Sequence, residues 1–502
     1  MTDNLFTRVV AAAKNPDKVF IASRGGKPLS YRDAFRAASR FAHVLSKHGV
    51  VAGDRVAVQV EKSPEALFLY LACLRMGAIY LPLNTGYTPN ELAYFTGDAE
   101  PRVFVCSQKN REKIAAIFPA GVILTLGDEG TSGSLIVEAK AAPSDYPDAG
   151  MAMRDLAAIL YTSGTTGRSK GAMLSHGNLF SNAQSLKETW RYSQGDVLLH
   201  ALPIFHTHGL FVATNVTLLS AASMILLPKF ALDTVLEALP AATVMMGIPT
   251  FYTRLLQDPR LSRESTRTIR LFISGSAPLL KDTHVQWQER TGHAILERYG
   301  MTETNMNTSN PYDGLRLPGS VGLPLPGVEL RIADDGGNPL PQGEIGMIEV
   351  RGPNVFTGYW RMPEKTEMEF RKDGFFITGD LGTVNQDGYV HIVGRDKDLI
   401  ITGGLNVYPK EIESRIDGLP GVEESAVVGL PHGDFGEAVT AFVVIKPAAP
   451  LTEKTVLGAL DGQMAKFKQP KRVIFVEQLP RNSMGKVQKN VLRQEFKDLY
   501  GA

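Results

Sequence analysis

The sequence predicts an α/β protein with a large N-terminal domain and a small α+β domain at the C-terminus. Three observations carry this. Helix-period and strand-period runs alternate repeatedly through the N-terminal part, the pattern of layered, mainly parallel sheets. From Gly319 to Val393 glycines, prolines and short β-like runs take over, which predicts an antiparallel or barrel-like subdomain at about 320–395. A last, smaller unit follows Arg395.

In chain order, apolar residues at helical spacing over Tyr31–Lys47 lead into the strand-like AVQV of Ala57–Val60. A second helical run, Pro64–Met76, precedes AIYLPL, and a helix near Asn90–Asp98 precedes the strand Arg102–Cys106. The β-rich part contains VELRIA, MIEVRG and YVHIVG. The last unit has two helical patterns and the strands ESAVVGL and AVTAFVVI. The charged tripeptide Asp396-Lys397-Asp398 marks the boundary, giving domains 1–395 and 396–502. No repeat of fixed period is present.

Composition excludes several classes. The 502 residues carry 53 Lys+Arg against 52 Asp+Glu, a net charge of +1. Nucleic acid or an anionic membrane as partner would call for a basic surplus. Two cysteines, Cys73 and Cys106, give neither a disulfide framework nor a four-ligand zinc site. No apolar run approaches the roughly 18–20 residues that span a bilayer, and the N-terminus lacks a signal-peptide core. The expectation is a soluble, cytoplasmic protein.

The strongest local signal is LYTSGTTGRSKG at 160–171. An apolar strand runs into a loop of hydroxyls and glycines that ends in Lys170. Glycines allow close backbone approach, hydroxyls and amides donate, and the lysine adds charge, all suited to a polyphosphate. It is not a Walker A loop, because glycine follows the lysine.

YTSGTTGRSKG resembles the phosphate loop of the adenylate-forming superfamily, the acyl-CoA synthetases, luciferases and peptide-synthetase adenylation domains. LPIFHTHGL at 202–210, SGSAPL at 274–279, ERYGMTET at 297–304, ITGD at 377–380, GRDKDLIITGG at 394–404 and PRNSMGKVQK at 480–489 follow in the family's order. The resemblance implies a large domain plus a mobile C-terminal lid that rotates between two half-reactions. A carboxylate first joins ATP, giving an acyl-adenylate and pyrophosphate; the acyl group then passes to the thiol of CoA.

Residue by residue, the resemblance implies that Thr162, Ser163, Gly164, Thr165, Thr166, Gly167 and Lys170 cradle phosphate. Tyr299 stacks on adenine, with Ser274, Gly275 and Ser276 closing the other face. Thr302 meets the α-phosphate, and Glu303, with Thr165, holds Mg²⁺, a hard cation suited to carboxylate and phosphate oxygens. Asp380 and Arg395 take the ribose. Lys486 bridges substrate carboxylate and α-phosphate, where one donor can be worth ~3–4 kcal/mol. Lys397 is the hinge, Gly403 and Gly404 line the CoA channel, and His206 is a gate beside the acyl pocket. His206-x-His208 lacks a third ligand for a metal, so His208 reads as packed wall. Lys486, in a glycine-flanked loop, is also a candidate target for a lysine acetyltransferase.

Two arginines narrow the acid. Arg298 precedes Tyr299, and Arg254 lies in IPTFYTRLL. An arginine inside a pocket is costly unless a counter-charge meets it, and its planar fork suits a carboxylate. Both point to an acid with a second carboxylate, with Ser276 as helper and Thr207 and Met306 setting pocket width. ERYGMTETNMNTS, PTFYTRLL and PRNSMGKVQKNVLR resemble malonyl-CoA synthetases in particular. The expectation is an ATP-dependent malonate:CoA ligase that tolerates methylmalonate. The alternative is the same chemistry on an aryl or medium-chain monocarboxylate, with both arginines structural and paired to acids such as Glu297 or Asp258.

Overall fold

A computed structural model describes residues 3–22, 27–162, 169–447, 449–482 and 485–501. Local signals set the helix ends. Tyr31–Lys47 starts behind Ser30, whose hydroxyl accepts from the Asp33 amide while Asp33 answers the Ser30 backbone. Pro64–Met76 starts at a proline behind the cap Ser63 and stops at Gly77, where φ of 75° needs glycine. Pro89–Ala99 is capped by Thr88 and Glu91 in the same way.

Among the described residues the strands form four sheets. In the nine-stranded sheet, Val19–Ala22, Ser223–Leu226, Val197–His200, Val244–Gly247, Leu271–Ser274 and Leu296–Met301 run parallel, with antiparallel strands at both edges. In the seven-stranded sheet Leu156–Thr162, Ile79–Pro82, Arg55–Gln59, Val103–Cys106 and Val122–Thr125 run parallel, and antiparallel Lys170–Ser175 and Gly358–Tyr359 complete the end beside Leu156–Thr162. The main apolar core fills the space around the two sheets, and helix Pro64–Met76 is buried on nearly every face. That burial explains its almost unbroken apolar run (P-E-A-L-F-L-Y-L-A-C-L-R-M).

Glu329–Ala333, Gly346–Arg351, Phe376–Val384 and Val390–Arg395 form an antiparallel four-stranded sheet. Beyond Arg395 a five-stranded sheet with its own two apolar clusters makes the small C-terminal domain. Its long hairpin, Val422–His432 with Gly436–Ile445, contains both strands expected there. The hairpin Ile400–Thr402 and Leu405–Val407 and the strand Arg472–Phe475 add to it. No helix among the described residues is long and apolar enough to cross a membrane.

Candidate active site

Parallel strands deliver their C-terminal ends to one side, the usual place for a ligand in an open α/β sheet. Here those ends are Thr162, His200, Gly247 and Ser274, joined by the hairpin that turns at Thr302. Residues 163–167 of the expected phosphate cradle, Thr165 among them, lie outside the described residues. Thr162 and Lys170 stand at its two ends, paired across an antiparallel register.

Lys170 is buried. It reaches Glu369 at 3.0 Å and lies 4.1 Å from the centre of the Tyr359 ring. The Tyr359 hydroxyl lies 2.5 Å from Glu369 and 3.1 Å from Oε1 of Glu303. Thr162 donates to the same Glu303 oxygen at 3.4 Å. Burial pushes the Glu303 carboxyl up, the Tyr359 hydrogen bond and nearby Lys170 opposing. A buried carboxylate beside Thr162 and Lys170 is the kind of oxygen donor that suits a hard divalent cation. Among the described residues, no three or more His, Cys, Asp or Glu side chains gather as a metal site. Tyr359 and Glu369 carried no signal in the sequence: they lie in an unremarkable stretch before ITGD and reach the loop only through the fold.

Asp380 and Arg395 face each other in register on neighbouring strands and pair at 2.8 Å. The Asp380 charge raises the Arg395 guanidinium further. Tyr299 donates its hydroxyl to Asp380 at 2.6 Å, and burial, with that carboxylate beside it, holds the phenol well above its ordinary value. Ring, carboxylate and guanidinium thus form one polar corner.

Arg298 is 4% exposed, and neither Nε nor Nη2 has a partner among the described residues. Burial pulls its guanidinium from 12.5 down to about 9. Among the described residues it pairs with no acid: Glu297 instead accepts from the Gly319 amide and lies 3.4 Å from His284, and Asp258 pairs with Arg260. A Cβ on Gly275 would come within 2.3 Å of the guanidinium carbon, so the glycine makes room for it. The neighbouring Ser276 holds φ of 71°, a left-handed conformation costly for a side-chain-bearing residue. Its hydroxyl meets Nδ1 of His208 at 3.1 Å. Nε2 of His208, Oγ1 of Thr207 and Oγ of Ser274 are likewise buried without partners. Met306 is buried, its backbone held by Asn182.

Burial and the Arg298 and Lys486 cations bring His206 down to about 4, which leaves a neutral ring. Lys486 sits in a tight hairpin closed by Asn482, and Gly485 lies against Ile248 and Thr250 at the start of helix Pro249–Leu256. The C-terminal domain thus lies against that helix, with the exposed Lys486 close to Arg395, Asp380 and Lys397. Protein packed round its ammonium, with Arg395 and Lys397 adding like charge, brings it from 10.5 to about 8 while the side chain keeps some access to solvent.

Four expected residues stand elsewhere. Arg254 is exposed rather than inside the pocket, and this corrects the two-arginine expectation. Its helix buries Phe251, Tyr252 and Leu255, and the 3.6-residue period turns position 254 outward. Gly403 and Gly404 form the exposed turn of the hairpin at 400–407, both with positive φ and open space around them. Lys397 is exposed on the short helical turn Asp396–Asp398, and the adjoining Asp398 pairs with Arg493 at 2.7 Å.

A family profile described as AMP-binding enzyme matches residues 9–360, and a second, AMP-binding enzyme C-terminal domain, matches 411–486. The crystal structure of ATP-bound MatB from Rhodopseudomonas palustris is 61% identical, covers all of both chains and superposes with a TM-score of 0.98. The apo form of that protein superposes at 0.87. A malonate–CoA ligase of Arabidopsis thaliana is 34% identical over 97% of this chain and 88% of its own. A feruloyl-CoA synthase of Amycolatopsis is 36% identical over 94% of this chain and 95% of its own.

Proposed function

We propose, for a chain that belongs to the AMP-binding enzyme family and is an AMP-forming acyl-CoA ligase, that the acid it activates is malonate. One observation carries the choice: Arg298 is buried, charged and, among the described residues, without an acid, and Thr207, His208 and Ser274 also bury polar atoms without partners there. Native structures leave few such atoms, and a cluster of them calls for a ligand. A carboxylate at the far end of a short acid supplies the missing charge and acceptors. Ferulate, the acid named for one relative, would leave Arg298 uncompensated.

In this reading one malonate carboxylate attacks the α-phosphorus of ATP, expelling pyrophosphate and forming malonyl-adenylate. The Lys486 ammonium lies between the incoming carboxylate and the α-phosphate, which Thr302 also meets. Lys170 and Thr162 flank the other phosphates. Glu303 fits Mg²⁺, which when bound offsets phosphate charge. Tyr299, Asp380 and Arg395 hold the nucleoside. The lid then turns about Lys397, Lys486 leaves, and Gly403 and Gly404 come to line the path of the CoA thiol, which displaces AMP. Neutral His206 stands as the gate between Arg298 and Lys486. Thr207 and Met306 bound the width of the pocket; excluding a methyl group is worth only ~1–3 kcal/mol, so methylmalonate is accepted more slowly rather than refused.

The test is pyrophosphate release with ATP, Mg²⁺ and CoA across malonate, methylmalonate, succinate, acetate, octanoate and a cinnamate. Malonate is expected to dominate. Preference for a monocarboxylate would keep the ligase and overturn the acid.

A further inference from the structure

The buried basic group that this chemistry does not use is Lys62. It follows the strand Arg55–Gln59 of the seven-stranded sheet and is 8% exposed. Its ammonium crosses to the nine-stranded sheet, donating to Nδ1 of His200 at 2.9 Å and to the His200 carbonyl at 2.7 Å. Among the described residues no carboxylate meets it. Burial alone drives its amine well below the ordinary lysine value.

These contacts settle the His200 tautomer. A carbonyl can only accept, so Nε2 carries the proton it donates to Gly209 at 3.0 Å; burial keeps the ring neutral, so Nδ1 is bare and accepts from Lys62. Thr214 donates to the same carbonyl at 2.9 Å. Gly209 lies in the π-helical turn His208–Thr214, a widened turn of the kind often found at functional sites. A Cβ there would come within 2.0 Å of the Pro203 carbonyl oxygen, so the turn is tucked in as closely as the backbone allows. Thr207 precedes the turn and His208, on which the Arg298 charge acts, begins it; each has a buried polar atom without a partner among the described residues.

A desolvated lysine without an acid works against the fold, whether it holds its charge or gives up its proton. A chain that keeps one is trading stability for something else at that place. We infer that Lys62 and His200 are positioning residues for the acid pocket: together they fix the Gly209 carbonyl and, through it, the turn that presents Thr207 and His208 beside Arg298. Neither touches the acid. The inference rests on reading the Arg298 pocket as the seat of the second carboxylate.

The experiment compares Lys62→Met, His200→Gln and the double variant for melting temperature and for the KM of malonate and of ATP. Methionine fills the space without the charge. Lys62→Met is expected to melt at or above the parent temperature, with KM for malonate raised about 10- to 100-fold and KM for ATP unchanged, since a displaced support costs on this scale. His200→Gln should show the same split. The double variant should lose no more than the worse single one, because the two act as a unit. A merely structural role predicts the opposite, with a lower melting temperature or failure to fold and parallel losses for malonate and ATP; either result overturns the inference, as does an unchanged KM for malonate. Arg298→Met run beside them separates the two readings. If it spares malonate, the pocket assignment fails; if it abolishes malonate use while Lys62→Met does not raise KM, only the positioning role fails.

Discussion

Replacing Arg298 with methionine removes a charge that its buried surroundings hold at a loss. The fall of its guanidinium from 12.5 to about 9 corresponds to roughly 5 kcal/mol against the charged form. A substrate carboxylate would relieve much of that, and breaking a buried pair by removing one partner costs about 3–5 kcal/mol. The two figures agree, and they convert to a loss of about 10²- to 10³-fold or more in kcat/KM for malonate. Stability should move the other way, because an unpaired buried ion is replaced by an apolar side chain of similar length. The assay is pyrophosphate release for malonate and, as a control without the second charge, propionate, together with a thermal melt of the free enzyme. A variant that melts no lower than the parent, loses malonate and keeps its low propionate rate is the expected outcome. Malonate kinetics close to the parent's would refute the reasoning, since no other cation among the described residues is buried beside Gly275.

Three further outcomes are open to measurement. Gly275→Ala places a methyl group where the Arg298 guanidinium lies, so KM for malonate should rise by more than the change in KM for ATP, read from the two saturation curves. Tyr359→Phe removes a donor shared by Glu303 and Glu369; at about 1.5–3 kcal/mol for a hydrogen bond to a charged group, kcat/KM for MgATP should fall roughly 10- to 100-fold, and an unchanged value would exclude a role for that hydroxyl. Lys486 must carry its proton to bridge two anions, and it loses that proton as pH rises through about 8, so the adenylation rate should be level below that pH and decline above it. Lys486→Arg should remove the alkaline decline, and Lys486→Ala should abolish adenylation while sparing thioester formation from supplied malonyl-adenylate.

What could be read from the sequence follows the range of the interactions involved. The helices Tyr31–Lys47 and Pro64–Met76 begin and end where caps within a few residues say they should. The glycine-rich loop points to phosphate binding because its donors are contiguous, and residues 163–168 of it lie outside the described residues. Arg298 declared itself through a block of neighbours, whereas Arg254 misled because its residue type suggested a role that only its helix face could decide. The remaining partners meet across long stretches of chain. Lys62 reaches His200 over 138 positions and Lys170 reaches Glu369 over 199, distances at which one sequence carries no pairing signal. The π-helical turn was equally hidden, since LPIFHTHGL gives no sign of a changed period.

That turn sets a phase as well as a support. Its wider spacing inserts a residue relative to an α-helix before Asn215–Leu219 begins. Deleting one residue between Leu210 and Ala213 would restore the ordinary period and rotate everything upstream by about 100° relative to that helix. Thr207 and His208 would then turn away from Arg298 with no pocket side chain replaced. Acid preference in this protein is thus exposed to insertions and deletions as much as to substitutions, and a single such event can redraw the pocket in one step.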